Sequence, residues 1–290
     1  MDSKVYDRAS AEVYFEKQYK EKQTEFLYNT LPGRVLLRLF VVSKAFSRLQ
    51  AFAGSGRRSV KKIRPFIEKY GIEMTDYGDT KYKSFNDFFA RKMLPGKRPF
   101  SAAEADLTAV ADSKLTAYVI DEKLNIHIKE SVYTVEELTG ESLYSAGFGD
   151  GTCLVFRLTV DDYHRYCFFD SGKITSAKTI KGCLHTVGPV SSKRYKVYNE
   201  NFRIVTGLQT ENFGDCMYIE VGALLVGKII NHQITDFSKG DEKGYFLMGG
   251  STIVILLKAG TVKIDDDILL HSGQGIETKV KMGEKIGQRI

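Results

Sequence analysis

A short segment near the C-terminal end contains the residue types that a self-cleaving peptide bond requires. Gly249 and Gly250 precede Ser251, and the apolar run 253–257 follows. Glycine has no Cβ and adopts backbone conformations that other residues resist, and the β-branched run predicts a buried strand. A serine held at the start of such a strand could attack the carbonyl of the residue before it. The same segment also fits an ordinary turn entering a core strand, so the rest of the sequence must decide.

Attack by a serine hydroxyl needs a base, and the base needs a group that orients it. His164 follows a predicted strand in a polar cluster, and His185 lies on what could be a neighbouring strand. Asp112 precedes another strand, where an aspartate commonly forms an Asx turn but could also orient an imidazole. We therefore take Asp112, His164, His185 and Ser251 as candidate catalytic residues. The sequence alone does not show whether they meet.

These residues belong to a longer pattern that resembles the bacterial type of pyruvoyl-dependent, self-cleaving phosphatidylserine decarboxylases. The motifs follow the family's order over about residues 80–290, and the N-terminal helices match only in character. The matching segments are 88–99 (FFARKMLPGKRP), the Asp112 segment, 162–165 (DYHR), 220–227 (EVGALLVG), 239–246 (KGDEKGYF) and 249–252 (GGST).

The resemblance implies that the chain cuts itself between Gly250 and Ser251. In the family an Asp-His-Ser relay drives the serine hydroxyl onto the preceding carbonyl, and elimination and hydrolysis leave the serine as an N-terminal pyruvoyl group. The implied products are a β chain, residues 1–250, and an α chain, residues 251–290, that stay together. The pyruvoyl group from Ser251 is then the covalent cofactor. It forms a Schiff base with the substrate amine and takes up the electrons released as carbon dioxide leaves. No metal is implied.

Three positions depart from the family pattern. Cys167 stands where many members have a second histidine, the relay base, and a thiol in apolar surroundings has a raised pKa and is a poor base. We therefore hypothesise that His164 or His185 serves as the base for cleavage. Ser113 replaces a glycine after the aspartate, and Gly188 replaces an asparagine before Pro189.

The predicted elements divide the chain into helices followed by strands. Polar residues 1–30 are interpreted as a helical lead-in, and 31–52, 57–72 and 84–93 as helices. After residue 105, short apolar runs predict strands at 115–120, 124–129, 153–160, 202–210, 216–221, 224–230, 253–257 and 276–280, with one helix at 134–139. We therefore predict an α+β fold. A helical, membrane-associating region (1–104) precedes a mainly antiparallel, barrel- or sandwich-like catalytic domain (105–290).

Charge and hydropathy indicate where the protein acts. The net charge is +6, and every charged residue from Arg34 to Arg64 is a lysine or arginine. The helix predicted at 31–52 has one apolar and one basic face, which suits an anionic membrane surface, although such a helix could instead pack on the protein's own core. Few aromatic residues are interleaved with the cations, which argues against nucleic acid. We expect a peripheral protein on the cytoplasmic side of the cell membrane. We also expect the four cysteines to be reduced and to fill the core, and we expect no signal peptide.

The leading interpretation is conversion of phosphatidylserine to phosphatidylethanolamine and carbon dioxide, with a homodimer plausible for the family. Two alternatives stay open. One is a soluble pyruvoyl-dependent decarboxylase of a free amino acid. The other is a non-enzymatic, uncleaved β-barrel binding module in which the bond before Ser251 lies in an ordinary turn.

Overall fold

The computed structural model describes residues 3–16, 21–37, 54–128, 131–141, 147–186, 195–223, 228–247 and 251–290. Most of the helix predicted at 31–52 lies outside the described residues, as do Gly188, Gly249 and Gly250. The described helices are α1 Glu21–Asn29, α2 Leu31–Leu36, a 3₁₀ helix Arg57–Lys62, α3 Ile63–Tyr70, α4 Phe85–Phe89, α5 Val135–Thr139, α6 Val197–Glu200 and α7 Asp266–Gly273.

Eighteen strands are present in the described part of the chain. They are β1 Ser3–Asp7, β2 Glu12–Glu16, β3 Asp106–Thr108, β4 Ser113–Val119, β5 Asn125–Ile128, β6 Ser131–Thr134, β7 Thr152–Leu158, β8 Arg165–Cys167, β9 Gly172–Ile180, β10 Arg203–Thr210, β11 Gly214–Val221, β12 Lys228–Asn231, β13 Asp236–Phe237, β14 Glu242–Leu247, β15 Ser251–Leu257, β16 Val262–Ile264, β17 Glu277–Val280 and β18 Lys285–Arg289. Ten of them form a large sheet in the order β13-β9-β10-β11-β15-β7-β4-β17-β1-β2.

Strand β15 lies at the centre of the large sheet. It pairs antiparallel with β11 on one side and β7 on the other, and all seven of its residues are buried. A continuous β-branched and leucine run is the pattern expected of a strand covered on both faces. A second sheet, β12-β14-β8, packs on one of these faces, where the Tyr218 hydroxyl of β11 donates to the Cys167 carbonyl of β8.

The prediction that residues 1–30 form a helical lead-in is wrong for residues 3–16. Strands β1 and β2 form an antiparallel hairpin, and β1 also pairs in parallel with β17 near the other end of the chain. The pairing buries Val5 completely between exposed Lys4 and half-buried Tyr6. A single buried apolar side chain in a polar strand gives little hydrophobic periodicity, and the pairing that stabilises the strand is distant in sequence.

The α+β class is confirmed, since the described residues combine short helices with a mostly antiparallel large sheet. A closed barrel is not formed in the described segments, where the large sheet is open and has β13 and β2 at its edges. The division at residues 1–104 and 105–290 stays a prediction.

The four cysteines are free thiols. Cys153, Cys167 and Cys216 are buried, as expected for core residues, whereas Cys183 is exposed and does not fill the core. Cys183 lies outside the named strands, in an isolated bridge to Asn201. A position at the margin of the sheet leaves its side chain open to solvent.

Candidate active site

Ser251 is the first residue of the central strand. It lies opposite Leu158 of β7, while its neighbour Thr252 lies opposite Val221 of β11. Its side chain is completely buried, and its hydroxyl has no hydrogen-bond partner among the described residues. A buried hydroxyl without a partner costs stability, and such groups in folded proteins often mark a functional site.

The strand register shows which side of the sheet Ser251 faces. Side chains alternate along a strand, so Ser251 shares a face with Ile253, which lies opposite Glu220 of β11 and Phe156 of β7. The neighbouring Tyr218, also on this face, contacts the small sheet through its hydroxyl. Ser251 therefore points into the layer between the large sheet and β12-β14-β8.

His164 immediately precedes β8, in that small sheet. It is buried, and its carbonyl accepts a hydrogen bond from the Phe246 amide of β14 at 2.9 Å. Its ring packs against Phe89 with 4.1 Å between ring centroids. The Nδ1 atom lies 2.9 Å from the Asp162 carbonyl oxygen. Because a carbonyl only accepts, Nδ1 carries the proton and Nε2 keeps its lone pair. That His164 serves as the base for cleavage stays a prediction.

The turn before His164 is fixed by buried charges. The Asp162 carboxylate accepts from Lys114 Nζ at 2.8 Å and from the Thr159 amide at 2.7 Å. Burial raises the pKa of Asp162 to about 6, and the Lys114 cation opposes that shift. Lys114 also pairs with Glu16 of the N-terminal hairpin at 3.1 Å. The hairpin therefore supports the turn that carries His164.

Helix α4 supports the same turn from the other side. Ser84 caps the helix by accepting from the Asp87 amide, and Asp87 in turn accepts from the Lys83 amide. The buried Arg91 guanidinium donates to the Asp161 carbonyl at 3.2 Å and lies over the rings of Tyr77 and Phe88. Arg91 belongs to the 88–99 segment, and its supporting role depends on contacts that the sequence does not reveal.

Asp112 is bound in an ion pair that the sequence did not predict. Its two carboxylate oxygens accept from Arg98 at 2.9 and 2.7 Å, and one of them also accepts from the Met282 amide at 2.8 Å. Arg98 in turn bonds Asp76 at 3.1 Å. These contacts fix the carboxylate firmly. That Asp112 orients a histidine stays a prediction.

Cys167 is unsuited to replace the missing histidine. The thiol is buried and donates to the Val110 carbonyl at 3.3 Å. Burial raises the pKa of Cys167 well above its ordinary value, and the nearby Asp112 carboxylate raises it further. A neutral thiol at physiological pH is a poor base, so Cys167 gives no reason to abandon the histidines as candidates.

His185 lies near the start of β15, beside the end of the neighbouring strand β11. Its amide donates to Asn201 Oδ1, and Asn201 Nδ2 donates to the carbonyl of Gly222, the residue after β11. Its ring stacks on Tyr195 at 4.1 Å, and its Nδ1 atom lies 3.2 Å from the Tyr28 hydroxyl of α1. That hydroxyl accepts from the Thr186 amide. His185 Nε2 faces the Glu200 carboxylate at 3.8 Å, so we assign the ring proton to Nε2 and the Tyr28 hydrogen to the bond with Nδ1. His185 is thus protonated at Nε2, and its acceptor nitrogen is occupied.

The environment of His185 predicts a pH-dependent stability. Burial lowers the pKa of His185 below its ordinary 6.5, although Glu200 opposes this. The unfolded chain therefore binds more protons near this pH, so the stability contribution is complete above 6.5 and is lost as pH falls through the lowered value. We expect the free energy of unfolding to fall between about pH 7.5 and pH 5 more steeply in the wild type than in His185→Gln. Denaturant titrations at each pH measure the free energy of unfolding. An equal dependence of that free energy on pH in the two proteins would contradict this expectation.

The structure therefore gathers the candidate residues around the start of β15 without joining them directly. Ser251 and His164 border the layer between the two sheets, His185 flanks the end of β11, and Asp112 lies by Cys167. The Ser251 hydroxyl makes no hydrogen bond to any imidazole among the described residues.

Comparison with known proteins covers nearly all of the chain. A family model described as phosphatidylserine decarboxylase matches residues 85–288. The chain is 56% identical over 288 residues to the phosphatidylserine decarboxylase proenzyme 2 of Clostridium acetobutylicum, covering 99% of each protein. It is 40% identical over 292 residues to the phosphatidylserine decarboxylase proenzyme of Ruminiclostridium cellulolyticum, covering 99% of this chain and 97% of the relative. The chain therefore belongs to the phosphatidylserine decarboxylase family.

Proposed function

We propose that this chain is a proenzyme that cleaves itself between Gly250 and Ser251 and then converts phosphatidylserine to phosphatidylethanolamine and carbon dioxide. Membership of the family supports the reaction. The structural observation that carries the proposal is the buried Ser251 hydroxyl, which lies without a hydrogen-bond partner among the described residues at the first position of the central strand. The intact mass of the denatured protein tests it, since we expect a chain of residues 1–250 and a shorter chain whose first residue has lost its nitrogen.

The surroundings of Ser251 fit a pyruvoyl group. The side chain enters a layer closed on one side by a second sheet, which limits water around a reactive carbonyl. When formed, the group supplies a carbonyl that condenses with the substrate amine and takes up the electrons released with carbon dioxide. Cleavage leaves this residue at a chain terminus, but the pairing of β15 with β11 and β7 keeps the strand in place.

We assign the proton transfer to His164. Its Nε2 lone pair accepts the hydroxyl proton of Ser251 as the oxygen attacks the Gly250 carbonyl, and the imidazolium then has a proton to return. The Asp162 carbonyl holds the ring by its Nδ1 hydrogen, and Phe89 supports its face. His185 is the second candidate. Its geometry favours it less, because Nδ1 already accepts from Tyr28.

A lipid substrate places the enzyme at a membrane, and we propose the cytoplasmic surface of the cell membrane. Within the described residues, no helix is long and apolar enough to cross a bilayer. Exposed apolar side chains instead lie in α2, where Leu31 is 72% exposed, and exposed cations lie in the 3₁₀ helix at residues 57–62. Apolar and basic groups together suit binding to anionic lipid headgroups.

Flotation with vesicles tests the membrane proposal. We expect the protein to float with vesicles containing anionic phospholipid at low salt and less at high salt, because salt screens exposed charges. Replacing Arg57, Arg58, Lys61 and Lys62 by glutamine should weaken binding by about 1 kcal/mol for each cation near the surface. A protein that stays unbound and decarboxylates a free amino acid would favour a soluble pyruvoyl enzyme instead. Whether the protein forms a homodimer stays a prediction.

A further inference from the structure

A buried ion pair outside the proposed proton-transfer residues links the two sheets. Glu220 of β11 is completely buried and Lys243 of β14 is 2% exposed. Lys243 Nζ bonds Glu220 Oε1 and also donates to Thr206 Oγ1 at 3.1 Å. The ammonium group lies 4.9 Å from the centroid of the Tyr218 ring. Both charges and their partners therefore lie in the layer that Ser251 faces.

A β-bulge directs Lys243 into this layer. In the pairing of β14 with β8, Glu242 lies opposite Cys167 and Gly244 lies opposite Tyr166, so Lys243 is the extra residue. Such a bulge turns a side chain away from the regular alternation. Gly244 permits the close approach, since a Cβ at this position would lie 2.9 Å from the Tyr166 hydroxyl and closer still to the Ile230 carbonyl oxygen.

The pair connects the segments on the two sides of the proposed cleavage site. Glu220 lies opposite Ile253 and is thus the diagonal neighbour of Ser251 on the same face, a position within reach of long side chains. Lys243 belongs to β14, which ends at Leu247, and three residues separate that end from Ser251. One charge is therefore fixed beside the strand after the scissile bond, and the other is fixed on the strand before it.

A stability role alone does not account for this pair. Removing two opposite charges from water costs about as much as their attraction returns, and apolar residues of similar volume often stabilise a protein equally well or better. The role best established for buried polar or charged groups is to fix the register of packed elements. Here the elements fixed are β11 and β14, in different sheets.

We propose that Glu220 and Lys243 are positioning residues for self-cleavage, which hold β14 against the large sheet so that the Gly250 carbonyl is presented to the Ser251 hydroxyl. The proposal rests on the proposed function. It assigns the pair to the processing step rather than to decarboxylation by the processed enzyme. It names no proton transfer for either side chain.

The test follows processing of full-length chains made in a cell-free translation and chased over time. Each single substitution, Glu220→Gln or Lys243→Met, risks misfolding because it leaves one buried charge without its partner. The double variant Glu220→Leu/Lys243→Met removes both charges. We expect it to unfold thermally at or above the wild-type temperature, to cleave about tenfold more slowly or worse, and to decarboxylate normally per processed molecule. The reversed pair Glu220→Lys/Lys243→Glu should cleave faster than the apolar double variant.

The control is Glu141→Gln/Lys178→Gln, which removes an ion pair of 2.5 Å from the protein surface, on β9 and a connecting loop. It should process at the wild-type rate. Wild-type processing by a stable apolar double variant would overturn the proposal, as would equal rates for the apolar and reversed pairs. If the wild-type chain itself stays uncut, the proposed function fails instead, so the two failures are distinguishable.

Discussion

The Ser251→Ala protein is expected to remain one chain of 32.7 kDa and to form no phosphatidylethanolamine. A methyl group can neither attack the Gly250 carbonyl nor become a pyruvoyl group, so both processing and decarboxylation are lost together. The variant should still fold, because the hydroxyl it removes makes no hydrogen bond among the described residues. Denaturing gels, intact mass and carbon dioxide release from phosphatidylserine vesicles measure the three expectations.

Thr252→Val is the matched control for this substitution. Thr252 is the next residue of β15, is equally buried, and also has a hydroxyl without a hydrogen-bond partner in the described part of the chain. Its side chain faces the opposite side of the sheet, beside Arg157. Thr252→Val should process as the wild type does. A cleaved or active Ser251→Ala protein, or an uncut wild type, would leave the uncleaved binding module as the better interpretation.

The second large effect is expected at His164. We expect His164→Gln to slow self-cleavage by about a hundredfold or more, the usual contribution of a positioned acid–base group. The amide side chain keeps a polar group near the Asp162 carbonyl but cannot accept a proton at neutral pH. His185→Gln should cleave much faster than His164→Gln, because the acceptor nitrogen of His185 is bound to Tyr28. The fraction cut against time measures cleavage, and carbon dioxide release per processed molecule measures decarboxylation.

Comparison of the two variants decides between the histidines. Slow cleavage in His185→Gln with normal cleavage in His164→Gln would transfer the role to His185. Normal cleavage in both would show that neither imidazole is the base, and the histidine hypothesis would be wrong. Thermal unfolding of each variant must be measured beside these rates to show that the variant is folded, since both side chains are buried.

Local sequence patterns identified the central parts of the fold well. The run 253–257 predicted most of β15, and the patterns at 153–160 and 202–210 correspond to β7 and β10. These strands are buried and rich in β-branched residues, so their own composition reports their environment. The helix predicted at 134–139 corresponds to Val135–Thr139, which begins with a capping box formed by Thr134 and Glu137.

The parts that were missed depend on distant partners. Strand β9 alternates only half-buried and exposed side chains, and β8 has three residues. Their hydrogen bonds to neighbouring strands, not their hydropathy, make them strands. The N-terminal hairpin was taken for helix because its decisive contact is with β17, more than 250 residues away along the chain.

In the candidate site, too, some features could be predicted from the sequence and others depend on contacts between distant residues. Residue type and spacing drew attention to Ser251, His164, His185 and Asp112, but hydrogen bonds alone reveal which nitrogen of each imidazole carries the proton. The partnership of Asp112 with Arg98 and that of Glu220 with Lys243 join residues from separate motifs. A single sequence carries no signal for such pairs beyond the presence of opposite charges.

The interleaving of the strands has a consequence for the processed protein. After cleavage at Ser251, the shorter fragment would contribute β15 between β11 and β7, β17 between β4 and β1, and β18 beside β3. Neither fragment can then bury its own apolar strands without the other. Denaturant would convert one folding unit into two molecules, so recovery of the native fold would become a second-order event that slows on dilution. The uncut precursor should refold at a rate independent of concentration.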